Sequence, residues 1–488
     1  MLSQSSGKQL SFYYTLYDRI PEDHLLKKID AAVDFSFINE LLIDSYSRTL
    51  GRPAKEPELM MKLLFLEYLY NLSDQRVLEE ANCNLAYLWF LGLNPEDSLP
   101  HPSLLTKFRT QRLKDITLDE VISEIIRQVI DKKIIKPSAV AIDATHIEAN
   151  CKKKVPERIM KHLTKRILHG LEQDNQKIPG EVDTDIPDYT QIEDHIEAKQ
   201  TMKAFLEKTI QTAEAYAGEN TKDAIEEAKD VLSDEKFILQ KGLRSLCDKD
   251  ARVGSKSKTQ QFFGYKAEVM MTSGSHLITA VDVNSGETMD GQHFDEMLER
   301  TCASGVEVKE IYGDKAYCRK NILDSLKRKQ IEGYIPVSAS VYKIDENCFA
   351  YNKDSDQWFC RMGNSTEYCK KTTQKKRGVT YEYLNYYFGK ELCKECPHRK
   401  ECFGKSRSKT RILQISVSTP EYYELSQKQK KPEFKEKYKQ RAAIESKNAE
   451  MKRFYGMSRA RGWGLKGVTR QVKLTAIAVN LRAIARIA

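Results

Sequence analysis

The sequence predicts a mixed α+β or α/β protein: a mixed sheet flanked by helices, preceded by an all-α N-terminal region and interrupted by two insertions. Three observations carry this expectation. Apolar residues recur near helical spacing through about residue 130; short β-branched runs alternate with amphipathic helices between 136 and 337; and the stretches 151–247 and 338–427 break that alternation, the first highly charged, the second bearing cysteines. A chain of 488 residues exceeds what one hydrophobic core usually supports, so a unit at 1–130 and a second at 136–488, carrying both insertions, are expected. No apolar run approaches a membrane span and residues 1–9 are polar, without a signal-peptide pattern, so a cytoplasmic protein with no membrane partner is expected.

In the N-terminal region Leu59, Leu63, Leu66 and Leu69 recur along one helix, Val77, Leu78 and Ala81 along the next, and 85–93 is rich in aromatics. Arg48, Arg52, Lys62, Arg76, Lys107, Arg109 and Arg112 make the region moderately basic. Two roles stay open, a helix-turn-helix-like arm that reads a nucleic-acid groove and simple packing for the core, with the arm slightly favoured.

The core follows in order. Ala139-Val140-Ala141-Ile142 is a short apolar strand ending on Asp143; strands at 264–272 and 276–283 suit a hairpin; a helix at 290–303 leads to a strand at 306–311 and then to Asp314; a helix at 319–329 and a strand at 333–337 close the run. Tyr265, Ala267, Val269 and Met271 alternate with Lys266 and Glu268, as a half-buried antiparallel strand should. Each aspartate by itself reads most simply as a helix N-cap or turn residue.

In the first insertion Met202, Phe205, Leu206, Ile210, Ala213 and Ala217, then Ile225, Ala228 and Leu232, form near-heptad stripes that predict a helical hairpin packed on the core rather than a dimerisation surface. The acidic stretch 174–194, with two prolines, reads as a loose loop. The second insertion holds six of the eleven cysteines. Cys393-x2-Cys396-x5-Cys402, with His398 or Cys369 as a fourth ligand, describes either a structural Zn²⁺ site or reduced, partly buried thiols, since disulfides are not expected in the cytosol.

Near the C-terminus, residues 428–473 carry fifteen Lys or Arg against four acids, which points to a polyanion partner. Within it Tyr438, Arg441, Glu445 and Lys452 succeed one another at spacings of three, four and seven, so on one α-helix all four would share a face, with an acid framed by groups that hold phosphates. Trp463, between glycines, reads as a packing aromatic before a base-stacking one. A final helix at 469–488, with Val472, Leu474, Ile477, Leu481 and Ile484 mostly on one side, closes the core.

The ordered set Asp143, Asp314 and Glu445, with Tyr438, Arg441 and Lys452 around the glutamate, resembles the DDE transposases of bacterial insertion sequences, specifically the subgroup with a Y-x2-R-x3-E-x6-K signature. The N-terminal region is similar to the domain preceding the catalytic core in those enzymes, through Gly51-Arg52-Pro53, Pro57-Glu58-Leu59 with the helix at 60–70, Ser73 to Arg76, His101-Pro102-Ser103 and Phe108-Arg109. The resemblance implies a ribonuclease H-like core in which the three acids bind Mg²⁺ (or Mn²⁺) and cut and rejoin DNA, while Tyr438, Arg441 and Lys452 bind it. It further implies double-stranded DNA partners, the terminal inverted repeats of the element and the target, a homodimer on DNA, and a place at the nucleoid. Two alternatives share the fold: a metal-dependent nuclease without strand transfer, and an inactive DNA-binding regulator.

Overall fold

The apolar run around Val140 forms the spine of a six-stranded mixed sheet in the computed structural model, which describes residues 14–47, 53–113, 115–239, 242–256, 259–376, 379–403, 408 and 410–488. Arg48, Gly51 and Arg52 lie outside the described residues. β1 (Ala139–Glu148) pairs antiparallel with β3 (Gln261–Thr272) and parallel with β5 (Glu310–Gly313), which pairs parallel with β6 (Glu332–Tyr334). Along the far edge of β3 lie the short β2 (Arg252–Ser255) and β4 (Ile278–Ser285), both antiparallel to it. The spatial order β4-β3-β1-β5-β6 is that of a ribonuclease H-like fold. β1 runs on through Glu148, longer than its apolar run, because the β3 partner continues opposite it; Asp143 therefore sits within a strand, opposite Val269. Near the end of this pairing a Cβ on Gly264 would lie 2.1 Å from the Ile147 carbonyl oxygen, so only glycine permits the approach.

The N-terminal helices include α1 (Leu25–Ala32), α2 (Pro57–Leu69) and α3 (Asp115–Asp131). α2 is buried at every position except Glu58, and one hydrophobic core runs from Leu26, Phe35, Phe65 and Phe90 into Ile142, Val269 and Met297 of the sheet region. Of the five described basic residues that suggested a nucleic-acid arm, Lys62, Arg109 and Arg112 are engaged internally, while Arg76 and Lys107 are exposed. Lys62 pairs with Glu58 at 2.9 Å, Arg109 with Glu67 at 2.6 Å and with Asp74, and Arg112 with the Ser45 carbonyl and the Tyr46 ring. Only Arg76, bonded to Glu80 at 3.4 Å, stays largely exposed among these pairs. These contacts tie Lys62, Arg109 and Arg112 to neighbouring elements of the region.

The first insertion is larger than a hairpin. α4 (Pro156–Asn175), α5 (His195–Ala213) and α6 (Glu219–Ser233) enclose a core of their own, built from Met160, Ile167, Met202, Leu206, Ile225 and their neighbours. The sequence pattern missed α4 because its stripe lies before the near-heptad run. The acidic connection is tied in by Val182, which is buried in this core.

Returning to the sheet, α7 (Phe294–Ala303) packs against β4 and α8 (Lys320–Arg328) against β6. The second insertion is a β lobe: a hairpin of β7 (Phe349–Asn352) and β8 (Gln357–Cys360), and a three-stranded sheet of β9 (Thr366–Lys376), β10 (Val379–Phe388) and β11 (Ile412–Ser416). The chain then enters α9 (Pro432–Tyr438), a 3-10 turn, α10 (Ala442–Phe454) and α11 (Leu465–Ile487). α11 is buried on nearly all sides, not one, because it passes between β4 and α1, α2 and α3. Its Asn480 side chain both accepts from Ile278 N–H and donates to Ile278 C=O, each at 2.7 Å. Among the described residues no helix is long and apolar enough to cross a membrane.

Candidate active site

The parallel pairing of β1 with β5 matches Ile142 to Gly313, so Asp143 and Asp314 follow at adjacent positions on neighbouring strands. Asp314 also fulfils the simpler reading: its side chain accepts from Ala316 N–H at 2.7 Å and caps the 3-10 turn Lys315–Tyr317. Behind that turn Tyr317 donates to the buried Glu268, whose carboxylate also accepts the Gly291 N–H at 2.9 and 3.0 Å. The turn carrying Asp314 is thus braced from the interior of the sheet.

α10 lies over β1 and supplies the third acid. The four signature residues do not share one α-helix. Tyr438 ends α9, stacked on Phe434, and a 3-10 turn at Lys439–Arg441 leads into α10, which has Arg441 at its N-cap. Tyr438 packs against a cluster that includes Tyr334, Phe434 and Ile444. Burial raises the Tyr438 phenol pKa.

Arg441 joins the acids. One guanidinium nitrogen donates to Glu445 at 2.6 Å and another to Asp143 at 3.1 Å, so a single side chain separates residues that are 302 apart in sequence. Asp143 is mostly buried and its pKa is raised, first by burial and also by the charge of Asp314; Arg441 opposes both. Glu445 is more exposed, at 58%. Among the described residues no three His, Cys, Asp or Glu side chains are already gathered closely enough to hold a metal ion. The locus nevertheless suits a cation, because the protein's own guanidinium is held there by two of the three carboxylates.

Three further residues face this site. Asn448, one turn beyond Glu445, donates to the other Asp143 oxygen at 3.0 Å, while its own Oδ1 is buried with no partner. Lys452, one more turn along, donates to His146 Nδ1 at 3.2 Å. Burial, aided by Lys256, lowers Lys452 to about 8, and burial with Lys452 lowers His146 to about 4, so His146 is the neutral acceptor at neutral pH. The signals were present in the sequence: Asn448 stands at i+3 from Glu445 and i−4 from Lys452, and His146 three residues past Asp143.

The cysteine reading is partly redirected. Cys393, Cys396, Cys402 and His398 line one cavity in the β lobe, but Cys369 lies exposed on β9 and does not. Trp463 is 58% exposed, its indole N–H donating to the Asn150 carbonyl at 3.0 Å.

Comparison with known proteins matches residues 14–111 to a transposase domain (DUF772) and residues 218–481, more than half of the chain, to the transposase DDE domain. Asp314, Tyr438, Arg441, Glu445 and Lys452 fall inside the second match; Asp143 precedes it and is tied to it by the sheet register and Arg441. No curated protein and no solved structure matches the chain. The two matched families, in this order on a ribonuclease H-like sheet, establish that the chain belongs to the DDE transposases of insertion sequences, DNA-cleaving enzymes.

Proposed function

We propose that this transposase hydrolyses the phosphodiester at the ends of its element to free a 3′ hydroxyl, and directs that hydroxyl onto target DNA at the same site. The observation that carries the reading is the simultaneous grip of Arg441 on Asp143 and Glu445, beside Asp314 on the adjoining strand. Asp143, Asp314 and Glu445 offer oxygen donors only, which suits Mg²⁺ or Mn²⁺. When bound, a pair of such ions supplies activation of the attacking oxygen and stabilisation of the leaving one.

The chain's own residues do the rest. Arg441, once released from the two acids, would take a phosphate oxygen in charge-assisted hydrogen bonds, and Lys452 a second phosphate near the cleaved end. The Tyr438 hydroxyl would position the backbone or a terminal nucleotide. Asn448 would keep Asp143 oriented while Arg441 moves. Affinity should then fall steeply with salt. Since two ends must be joined, the protein would act as a homodimer on DNA, at the nucleoid.

The reading is tested by supplying, in separate reactions, an intact element end and an end already cut to a 3′ hydroxyl, each with Mg²⁺ and a supercoiled target. Covalently joined product supports it; cutting of intact ends without any joining would instead identify a nuclease, and end binding without either would identify a regulator.

A further inference from the structure

The β lobe is poorly equipped to hold itself together by burial alone. Among the described residues its core of six buried apolar side chains, Phe349, Trp358, Tyr386, Phe388, Leu413 and Ile415, comes from β7, β8, β10 and β11. The helices that follow β10, Lys390–Lys394 and Arg399–Phe403, are five residues each and bury none of them, too short to persist without tertiary support. Small units of this kind commonly gain that support from a disulfide or a structural metal.

Thiols from separate segments meet where the two short helices come back against the hairpin. Cys360 from the end of β8, Cys393 and Cys396 from the first helix and the turn after it, and Cys402 from the second helix line a single cavity of about 460 Å³. Two other candidate ligands there are already engaged: Cys348 donates to Asp345 at 3.2 Å, and His398 lies 3.5 Å from Glu401. All eleven cysteines are free thiols. Burial raises the Cys402 thiol pKa, and Cys393, Cys396 and Cys360 are the thiols that act on it, with Arg411 opposing.

We infer that Cys360, Cys393, Cys396 and Cys402 form a structural, four-thiolate Zn²⁺ site that staples the two short helices to the β7–β8 hairpin. The pattern is a C-x2-C knuckle and a third cysteine on the next helix, completed by a ligand from a remote hairpin, and four thiolates close the tetrahedral shell. The cavity is also prepared for the charge. A divalent ion with four thiolates carries a net charge of minus two, and Arg361, Arg399 and Arg411 line the same cavity together with Asp345 and Glu401. Of the arginines, Arg361 is paired with Glu401 and Arg399 with the Cys393 and Ser408 carbonyls, which leaves Arg411 for the thiolates. The Arg411 Nε–H is buried without an acceptor, which a thiolate sulfur would provide. The sulfurs line the cavity without standing at ligand distance, so the ion would draw them inward by side-chain rotation at the end of β8, on the two short helices and in the turn between them.

The test uses the full chain, purified without chelator, with zinc counted per chain by elemental analysis and Co²⁺ exchanged into the same protein. The expected result is one zinc per chain and, with Co²⁺, the absorption of a tetrahedral tetrathiolate. Cys360→Ser, Cys393→Ser, Cys396→Ser and Cys402→Ser should each lose the ion, while Cys348→Ser and Cys369→Ser should keep it. Since a serine variant could fail to fold, Cys402→His serves as the second probe, retaining the ion with an altered Co²⁺ spectrum. Absence of zinc and of a Co²⁺ thiolate band in the folded wild type would overturn the site, as would loss of the ion from Cys369→Ser equal to that from Cys402→Ser. Neither readout involves DNA cleavage, so the outcome is separate from the reading of the active site.

Discussion

The sheet that carries Asp143 and Asp314 and the β lobe inserted after it are both β-rich, yet they are held together by different means. The sheet is enclosed by helices from both ends of the chain, and α11 runs through the middle of a core that continues into the N-terminal helices. A buried charge cluster reinforces this junction: Glu67, 2% exposed, accepts from Arg109 at 2.6 Å and from Arg461 at 2.8 Å. Among the described residues the lobe has a separate core of six buried apolar side chains, with partly buried neighbours such as Tyr351, Leu384 and Tyr423, and a ring of thiols. The difference teaches that the transposase N-terminal region and the catalytic sheet share one hydrophobic core, from which a single cooperative unit is expected, whereas the lobe has a core of its own.

The furthest-reaching way to break the comparison is at the buried charges. Glu67→Ala leaves Arg461 without its carboxylate and Arg109 with Asp74 alone, and should cost about 3 kcal/mol. Hydrogen exchange should then speed up together in α2 and in β1 and β3; acceleration confined to the N-terminal helices would contradict a shared cooperative unit. Trp358→Ala, at the centre of the lobe, should cost about 3–5 kcal/mol, but only locally. Exchange should rise in β7 to β11 and stay unchanged in β1.

Smaller effects sharpen the picture at the site. Asn448→Ala removes the second partner of Asp143 and should reduce end cleavage by about 10–100-fold, with a raised Mg²⁺ requirement and unchanged end binding. A normal Mg²⁺ requirement would leave Asn448 a packing residue. Lys452→Ala should weaken end binding and reduce its salt slope by about one. In the wild type, pH should mimic this substitution. Lys452 is held to about 8 by burial and Lys256, against Asp143 and Glu148, with the neutral His146 beside it. It is charged below that pH, so binding should weaken as pH rises from 7 to 9, and the Lys452→Ala protein should show a flatter dependence.

Much of this was legible in the sequence. The β-branched run before Asp143 and the alternation at 265–271 located their strands, although the second is buried on both faces from Glu268 on, and the spacing around Glu445 located the helix from Ala442 but not its separation from Tyr438. What escaped depends on partners remote in the chain. Nothing local lengthens β1 to Glu148, which requires β3 opposite, or marks the 3-10 turn at Lys439–Arg441. The basic residues of the N-terminal region looked available because their acids, Glu67 and Asp74, could not be seen as neighbours of Arg109. Cys360 was likewise hidden, since it reaches Cys393 only through the folding of the lobe.

The central claim is that three carboxylates, drawn from two neighbouring strands and from α10, work as one site on DNA. The direct measurement is cleavage of a labelled element end with Mg²⁺ by Asp143→Asn, Asp314→Asn and Glu445→Gln, with binding of the same end followed in parallel. The account predicts that each variant binds the end as the wild type does and fails to cut it. Any one of the three nicking at the wild-type rate would contradict it.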